Sequence, residues 1–397
     1  MTNVSQRMLN LGTARSEIRE AFAFAQARAA EVGAENVDDF SIGNPSVPAP
    51  ATVAEAVHKL VDAIDPIKLH GYTPAQGDGQ ARGALADDLN RRFGTNYTAD
   101  NFYLTAGAAG ALCCALSALS CPGDTFITFA PYFPEYKVFV ESAGAELVTV
   151  SADIEDFQID FAAFDQALTP NTKGVIINSP NNPTGVVYSE ATIQKLAQVL
   201  TEKSKEYGHT IWLISDEPYR ELAYGVEVPF LPEIYRDTVI CYSYSKSLSL
   251  PGERIGYVYV PQKATDGKAL YSAVAGAARA GGHVCAPSLW QKVIARCAHL
   301  RPDLASYDRN RKALYEGLTR MGYEMAKPDG AFYLFIKAPG GDANVFSDAA
   351  KKKDLLVVPG DGFGCPGYFR ICYCVSLELI QKSLPVFEEL IQEFAEK

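Results

Sequence analysis

No stretch of about 18 apolar residues occurs in this chain, so no membrane-spanning helix is expected. Basic residues are in the minority: 36 Lys and Arg face 47 Asp and Glu, a formal net charge of −11. A nucleic-acid binder needs a basic stripe and a membrane-surface protein a polybasic patch, and neither is present. Lys351-Lys352-Lys353 is the basic run, and it reads as a solvated helix face. The five histidines are scattered without HExxH or similar spacing, so no catalytic metal is expected. The nine cysteines form no CxxC pair, which predicts reduced, mostly buried thiols in a cytoplasmic protein. Cys372 and Cys374 alternate within a strand-like run and read as core. The segment Met1–Arg7 lacks the apolar core of a signal peptide. There is no internal repeat and no low-complexity tract.

What is present is enough chain for two domains, 397 residues with 48% apolar content. From Phe102–Leu104 onward, short apolar runs alternate with helical patterns. Phe126–Ala130, Leu147–Val150, Gly174–Asn178, Ile211–Ser215, Val239–Tyr242 and Gly256–Val260 read as strands. Between them lie segments such as Glu190–Tyr207, where Ile193, Leu196, Ala197 and Leu200 share one face. Near-continuous apolar strands separated by helices predict an α/β fold with a mostly parallel sheet covered on both faces. Ligands of such sheets gather at the carboxyl ends of the strands. The ends of the chain differ. Helices are expected at Ser16–Val32, Leu289–Leu300, Asp303–Met321 and Leu377–Ala395. Strands are expected at Phe332–Lys337, Leu355–Pro359 and Phe369–Val375. This predicts a large domain over 45–288 and a smaller, discontinuous α+β domain from 1–44 and 289–397, with Gly43 through Pro50 as the crossing linker.

The unusual polar residues fall just past the predicted strands. Lys246, in Tyr-Ser-Tyr-Ser-Lys-Ser from Tyr242 to Ser247, is badly placed for a solvated charge. An amine with a lowered pKa there suits a Schiff base with a carbonyl. A buried structural lysine is the plainer alternative. Arg254, eight residues on, offers a fork for phosphate. The two together suggest a phosphorylated aldehyde, pyridoxal phosphate. Asp216, in Ser-Asp-Glu-Pro-Tyr-Arg, ends an apolar strand and needs a cationic or hydrogen-bonding partner. A pyridinium N–H is one, and a helix N-cap is the alternative. Tyr219 could reach the phenolic oxygen of the same ring. Asn182, in Ser-Pro-Asn-Asn-Pro-Thr-Gly, is an amide held stiffly at a strand end, unless the string is only a structural turn. The small residues Thr105–Leu112 open a helix and could seat an anion, or simply allow close helix packing. Phe133 could stack on a planar ring, with Tyr132 as a rival and core packing as the alternative. Arg370, a charge in an apolar strand, suits a substrate α-carboxylate or an internal salt bridge. Gly77-Asp78-Gly79 lacks the preceding apolar strand of a dinucleotide loop, so a nicotinamide enzyme is not expected.

These strings, in this order and over nearly the whole chain from about Ser41, resemble the class I/II pyridoxal-phosphate aminotransferases of fold type I, the aspartate aminotransferase superfamily. The resemblance implies a seven-stranded-type sheet in the large domain. It makes Lys246 the Schiff-base lysine and proton shuttle, Asp216 the pyridine-nitrogen partner, and Asn182 and Tyr219 the partners of the ring oxygen. The Ala108 and Ala109 amides, Ser243, Ser245 and Arg254 would hold the phosphate, and Phe133 would stack on the ring. Arg370 would take the α-carboxylate, with the Gly43 backbone near it. Tyr72 would reach the phosphate of a partner subunit, which implies a homodimer with shared sites. The implied reaction is ping-pong transamination between an L-amino acid, aspartate-like by preference, and a 2-oxo acid such as 2-oxoglutarate. A lyase or decarboxylase of the same fold would use the same residues. Arg279 is either a helix-surface residue or a reader of a side-chain carboxylate in the partner's site. The chain departs from the commoner family strings at Gly43–Pro48 and at Ala108-Ala109, where a hydroxyl residue is usual.

Overall fold

A computed structural model describes residues 3–14, 16–151 and 155–396; Met1 and Thr2 of the segment read above lie outside them. Seven strands form the main sheet. In chain order they are β1 (Phe102–Thr105), β2 (Thr125–Phe129), β3 (Glu146–Val150), β4 (Thr172–Asn178), β5 (Trp212–Asp216), β6 (Thr238–Ser243) and β7 (Gly256–Tyr259). Their order across the sheet is β1-β7-β6-β5-β4-β2-β3. Strand β7 runs antiparallel to both neighbours, and the other pairings are parallel. Strands β1, β5, β6 and β7 are buried along their whole length, which is why they read as continuous apolar runs rather than alternating ones. The helix Glu190–Tyr207 buries Ile193, Leu196, Ala197 and Leu200, the face its periodicity predicts. Ser189 caps its start and Gly208, in the left-handed region, ends it.

The register brings one edge of this sheet into line. Asn178 lies opposite Asp216, Asp216 opposite Cys241, and Ser243 opposite Gly256, which also faces Thr105. The ends of β1, β4, β5 and β6 and the start of β7 thus form a single rim.

A second, three-stranded antiparallel sheet contains β8 (Tyr333–Lys337), β9 (Val358–Pro359) and β10 (Tyr368–Cys372), in the order β9-β10-β8. The helices Leu304–Met321 and Leu377–Ala395 share a core with it built on Leu314, Leu318, Phe332, Phe346, Phe369 and Phe387. The expected strand Leu355–Pro359 is split. Leu355–Leu356 pairs in parallel with Asp38–Asp39, and Val358–Pro359 pairs with β10. The first pairing ties the amino-terminal segment to the carboxyl-terminal one. Ala21 and Ala25 of helix Glu17–Val32 add packing against Val358 and Leu356. The helix Ser288–Cys297 differs from expectation. Its Val293, Ile294 and Cys297 lie in one core with Val53, Leu60, Leu85 and Phe102, on the flank of the seven-stranded sheet.

Candidate active site

The rim of the main sheet faces the second sheet across a cavity of about 280 Å³. Gly43, Ala108, Ala109, Phe133, Asn182, Asp216, Tyr219, Ser243, Ser245, Lys246, Arg254 and Arg370 all line it. Tyr72 does not, and its side chain is wholly exposed. Arg279 is also exposed, in the last turn of the helix Gly267–Ala280.

Lys246 sits in a four-residue helical turn, Tyr244–Ser247, that Ser243 caps at the end of β6. Its Nζ donates to the Gly43 carbonyl at 2.7 Å and lies 5.5 Å from the centre of the Phe332 ring. Burial pulls its pKa down to about 8, and the Arg370 and Arg254 cations add to that effect. Among the described residues no acidic side chain pairs with it, so its neutral, nucleophilic form is reached at a lower pH than for a solvated lysine.

Asp216 ends β5 and is buried. One carboxylate oxygen, Oδ2, accepts from the Tyr136 hydroxyl at 2.5 Å. The other, Oδ1, has no hydrogen-bond partner. Burial lifts this carboxyl to about 7, against the hydrogen bond from Tyr136 that pulls it down. No helix starts here, so the capping alternative is set aside. An unpaired buried acceptor costs about 1–3 kcal/mol. A pyridinium N–H would relieve that cost.

Asn178 braces this wall. Its Nδ2 donates to the Asp216 carbonyl at 2.8 Å, and its Oδ1 accepts from the Asn182 amide at 2.7 Å. The Asn182 side chain in turn accepts from Arg370 Nη1 at 3.0 Å. Arg370 also donates Nη2 to the Ser41 carbonyl at 2.5 Å, and its guanidinium lies 4.7 Å above the Tyr333 ring and 5.1 Å from that of Phe363. Its Nε has no partner. The internal salt bridge that a buried arginine could have is therefore absent among the described residues: its partners are amide and carbonyl oxygens. A guanidinium buried without a carboxylate is primed to receive one. The alternation of β10 explains its direction, because Phe369 and Ile371 point the other way into the core.

The anion seat lies at the opposite side. Helix Gly107–Leu119 starts at the rim with no side-chain cap, so its first amides are free to bind an anion. Arg254, at φ 52°, donates Nη1 to the Pro251 carbonyl at 3.0 Å and Nη2 to that of Ala106 at 3.4 Å. The Ser243 and Ser245 hydroxyls stand 2.6 Å apart beside it. These donors would suit a dianionic phosphate, with Ala108 and Ala109 contributing backbone only. Amine, unpaired carboxylate oxygen and phosphate seat within one cavity fit pyridoxal 5′-phosphate.

Sequence reasoning missed Tyr136, Asn178, Tyr333 and Ile18. Asn178 is a polar residue ending an apolar strand, the same signal that singled out Asp216. Tyr136 lies one helical turn past Phe133. Tyr333 and Ile18 carry no local signal. The Tyr333 hydroxyl is 3.0 Å from that of Tyr219, and a Cβ on Gly43 would overlap it, which explains the glycine there.

Comparison with known proteins agrees with this geometry. The family model for aminotransferase class I and II matches residues 35–385. An amino transferase of Eubacterium rectale has a crystal structure that superposes with a TM-score of 0.97 at 56% identity, covering 99% of this chain and 100% of that one. The aspartate/prephenate aminotransferase of Thermus thermophilus is 30% identical over 375 residues, 92% of this chain and 94% of its own. The probable N-acetyl-LL-diaminopimelate aminotransferase of Bacillus subtilis is 30% identical over 375 residues, 89% of each. No helix among the described residues is long and apolar enough to cross a membrane. The match spans both sheets and the rim between them, and on it the chain belongs to the class I and II aminotransferases, enzymes of fold type I that depend on pyridoxal 5′-phosphate.

Proposed function

We propose that this transaminase moves its amino group between an aspartate-like L-amino acid and a 2-oxo acid such as 2-oxoglutarate, in a ping-pong cycle centred on Lys246. The observation that carries the site assignment is Asp216 Oδ1, a buried acceptor without a partner in the cavity that Lys246 lines. When bound, pyridoxal phosphate supplies the aldehyde for Lys246 and an electron-withdrawing ring that acidifies the substrate Cα–H. Asp216 keeps the ring nitrogen protonated, with Tyr136 orienting its carboxylate. Asn182 and Tyr219 bond the ring oxygen, and Phe133 covers one face of the ring. The Ala108 and Ala109 amides, Ser243, Ser245 and Arg254 hold the phosphate, with the partner subunit's Tyr72 completing the seat. Arg370 takes the α-carboxylate beside Gly43. Lys246, as a free amine beside the substrate Cα, would move the Cα proton as a general base. The small domain is assigned to the amino-terminal segment and the part of the chain from Leu304 on.

The aspartate-like preference draws on the names of relatives such as the Thermus enzyme. The cations lining this chain's cavity, Lys246, Arg254 and Arg370, all have other duties in the scheme. A side-chain carboxylate then requires a cation from the partner subunit, and Arg279 is the candidate. The test is a panel of L-amino acids with 2-oxoglutarate, run on the wild type, Lys246→Ala and Arg279→Ala. Lys246→Ala should lose the absorbance of the lysine-bound cofactor and nearly all turnover. Arg279→Ala should weaken aspartate and glutamate use selectively. Wild-type turnover by Lys246→Ala would remove the site assignment, and equal losses for alanine and aspartate would remove the role of Arg279.

A further inference from the structure

Tyr333 belongs to β8, in the second sheet, yet its hydroxyl enters the cavity and meets Tyr219 at 3.0 Å. Both tyrosines are buried, and burial holds both phenols in their protonated form. Each phenol has one proton to give. Were Tyr219 to donate to Tyr333, the Tyr333 proton would need a third acceptor. Among the described residues none takes it: Arg370 lies over the ring as a cation with donors only, and this hydroxyl makes no other hydrogen bond. With Tyr333 as the donor of the pair, the proton of Tyr219 is free to face the cavity.

We infer that Tyr333 is a positioning residue, whose hydroxyl donates to Tyr219 and so turns and strengthens Tyr219 as a donor to the ring oxygen of the cofactor. This rests on the proposed bond between Tyr219 and that oxygen. A phenol that accepts one hydrogen bond gives a stronger one, by about 10–30%. Donation to the ring oxygen stabilises its negative charge and favours the unprotonated lysine linkage. The stronger the donation, the lower the pH at which that linkage loses its proton. The Tyr333 ring also carries the Arg370 guanidinium, a contact within the second sheet. Tyr333→Phe keeps that ring and removes only the hydroxyl.

The experiment is an absorbance titration of the lysine-bound cofactor against pH in four holoenzymes: wild type, Tyr333→Phe, Tyr219→Phe and the double variant. Tyr333→Phe should raise the midpoint by on the order of 0.1–0.7 pH unit. Tyr219→Phe should raise it more, and in that background Tyr333→Phe should add nothing. A purely structural role for Tyr333 would change melting temperature and leave the midpoint in place, and that result would overturn the inference. A Tyr333→Phe shift of equal size with and without Tyr219 would also overturn it. A midpoint unmoved by Tyr219→Phe itself would instead remove the reading of Tyr219, and the inference with it.

Discussion

Asp216 and Lys246 are held away from their ordinary pKa values in opposite directions, and each shift has a consequence for stability in protein stripped of its cofactor. Burial raises Asp216 to about 7. Between about pH 4, where an unfolded aspartate ionises, and pH 7, the folded state keeps a proton the unfolded state has lost. Stability from this group is present below that window and is lost as pH rises through it. Burial lowers Lys246 to about 8. Above that value the folded state has given up a proton the unfolded state still holds, so stability returns as pH climbs toward the ordinary lysine range. The pair places a minimum near pH 7–8, where the proposed mechanism calls for one group charged and the other neutral. Asp216→Asn should remove the acid-side decline, gaining about 1–4 kcal/mol relative to wild type at pH 7.5, while cofactor affinity collapses. Urea unfolding of the stripped proteins at pH 4.5 and 7.5 measures it. A variant no more stable than wild type at pH 7.5 would show that Asp216 is not the strained group.

At the scale of elements, the anion seat depends on how closely β7 passes the start of the helix Gly107–Leu119. Gly256 opens β7, and a Cβ there would overlap the Tyr242 carbonyl and come within 2.9 Å of the Gly107 backbone. Both neighbours are backbone and cannot swing aside. Gly107 has φ 77°, which favours glycine, and its own Cβ position lies 3.0 Å from Arg254 Nη2. Gly256→Ala should therefore cost about 1–3 kcal/mol of stability. It should also weaken cofactor binding by spreading Ser243 and Gly107 apart. Denaturant midpoints and cofactor titration read the two effects, and an alanine variant with wild-type values for both would refute the close-packing account. The same element shows why the sequence was readable here. Lys246, Ser243, Ser245 and Arg254 lie within twelve residues of each other, so strand, turn and charge speak in a single window. The roles of Tyr136, Asn178 and Tyr333 were not legible because each acts on a partner far along the chain, 80, 38 and 114 residues away, even where, as at Asn178, the residue itself carries a local signal. Only the fold joins them. The packing of helix Ser288–Cys297 was not legible for a related reason: its periodicity gives a buried face but not which sheet covers it.

At the scale of the whole molecule, the exposed residues of the segment Pro66–Tyr72 matter most. Ile67 is 84% and Tyr72 100% exposed, on the flank of a helix whose Leu69 is buried. A large apolar residue and an aromatic, both mostly in solvent, leave this short segment open to a partner. The proposed dimer gives them a place, with Tyr72 completing the phosphate seat of the other subunit. Subunit exchange tests this directly. Tyr72→Ala should bind the cofactor weakly, and Lys246→Ala should be inactive. In a mixed dimer of the two, one site combines the Lys246 of one subunit with the Tyr72 of the other and is whole, while the second site lacks both. Equal mixing should then restore about a quarter of the wild-type activity per subunit, since half of the dimers are mixed and each has one working site. Assayed at limiting cofactor, the mixture should exceed the mean of its parents several-fold. Activity that equals the parental mean after verified exchange would place Tyr72 outside the shared site.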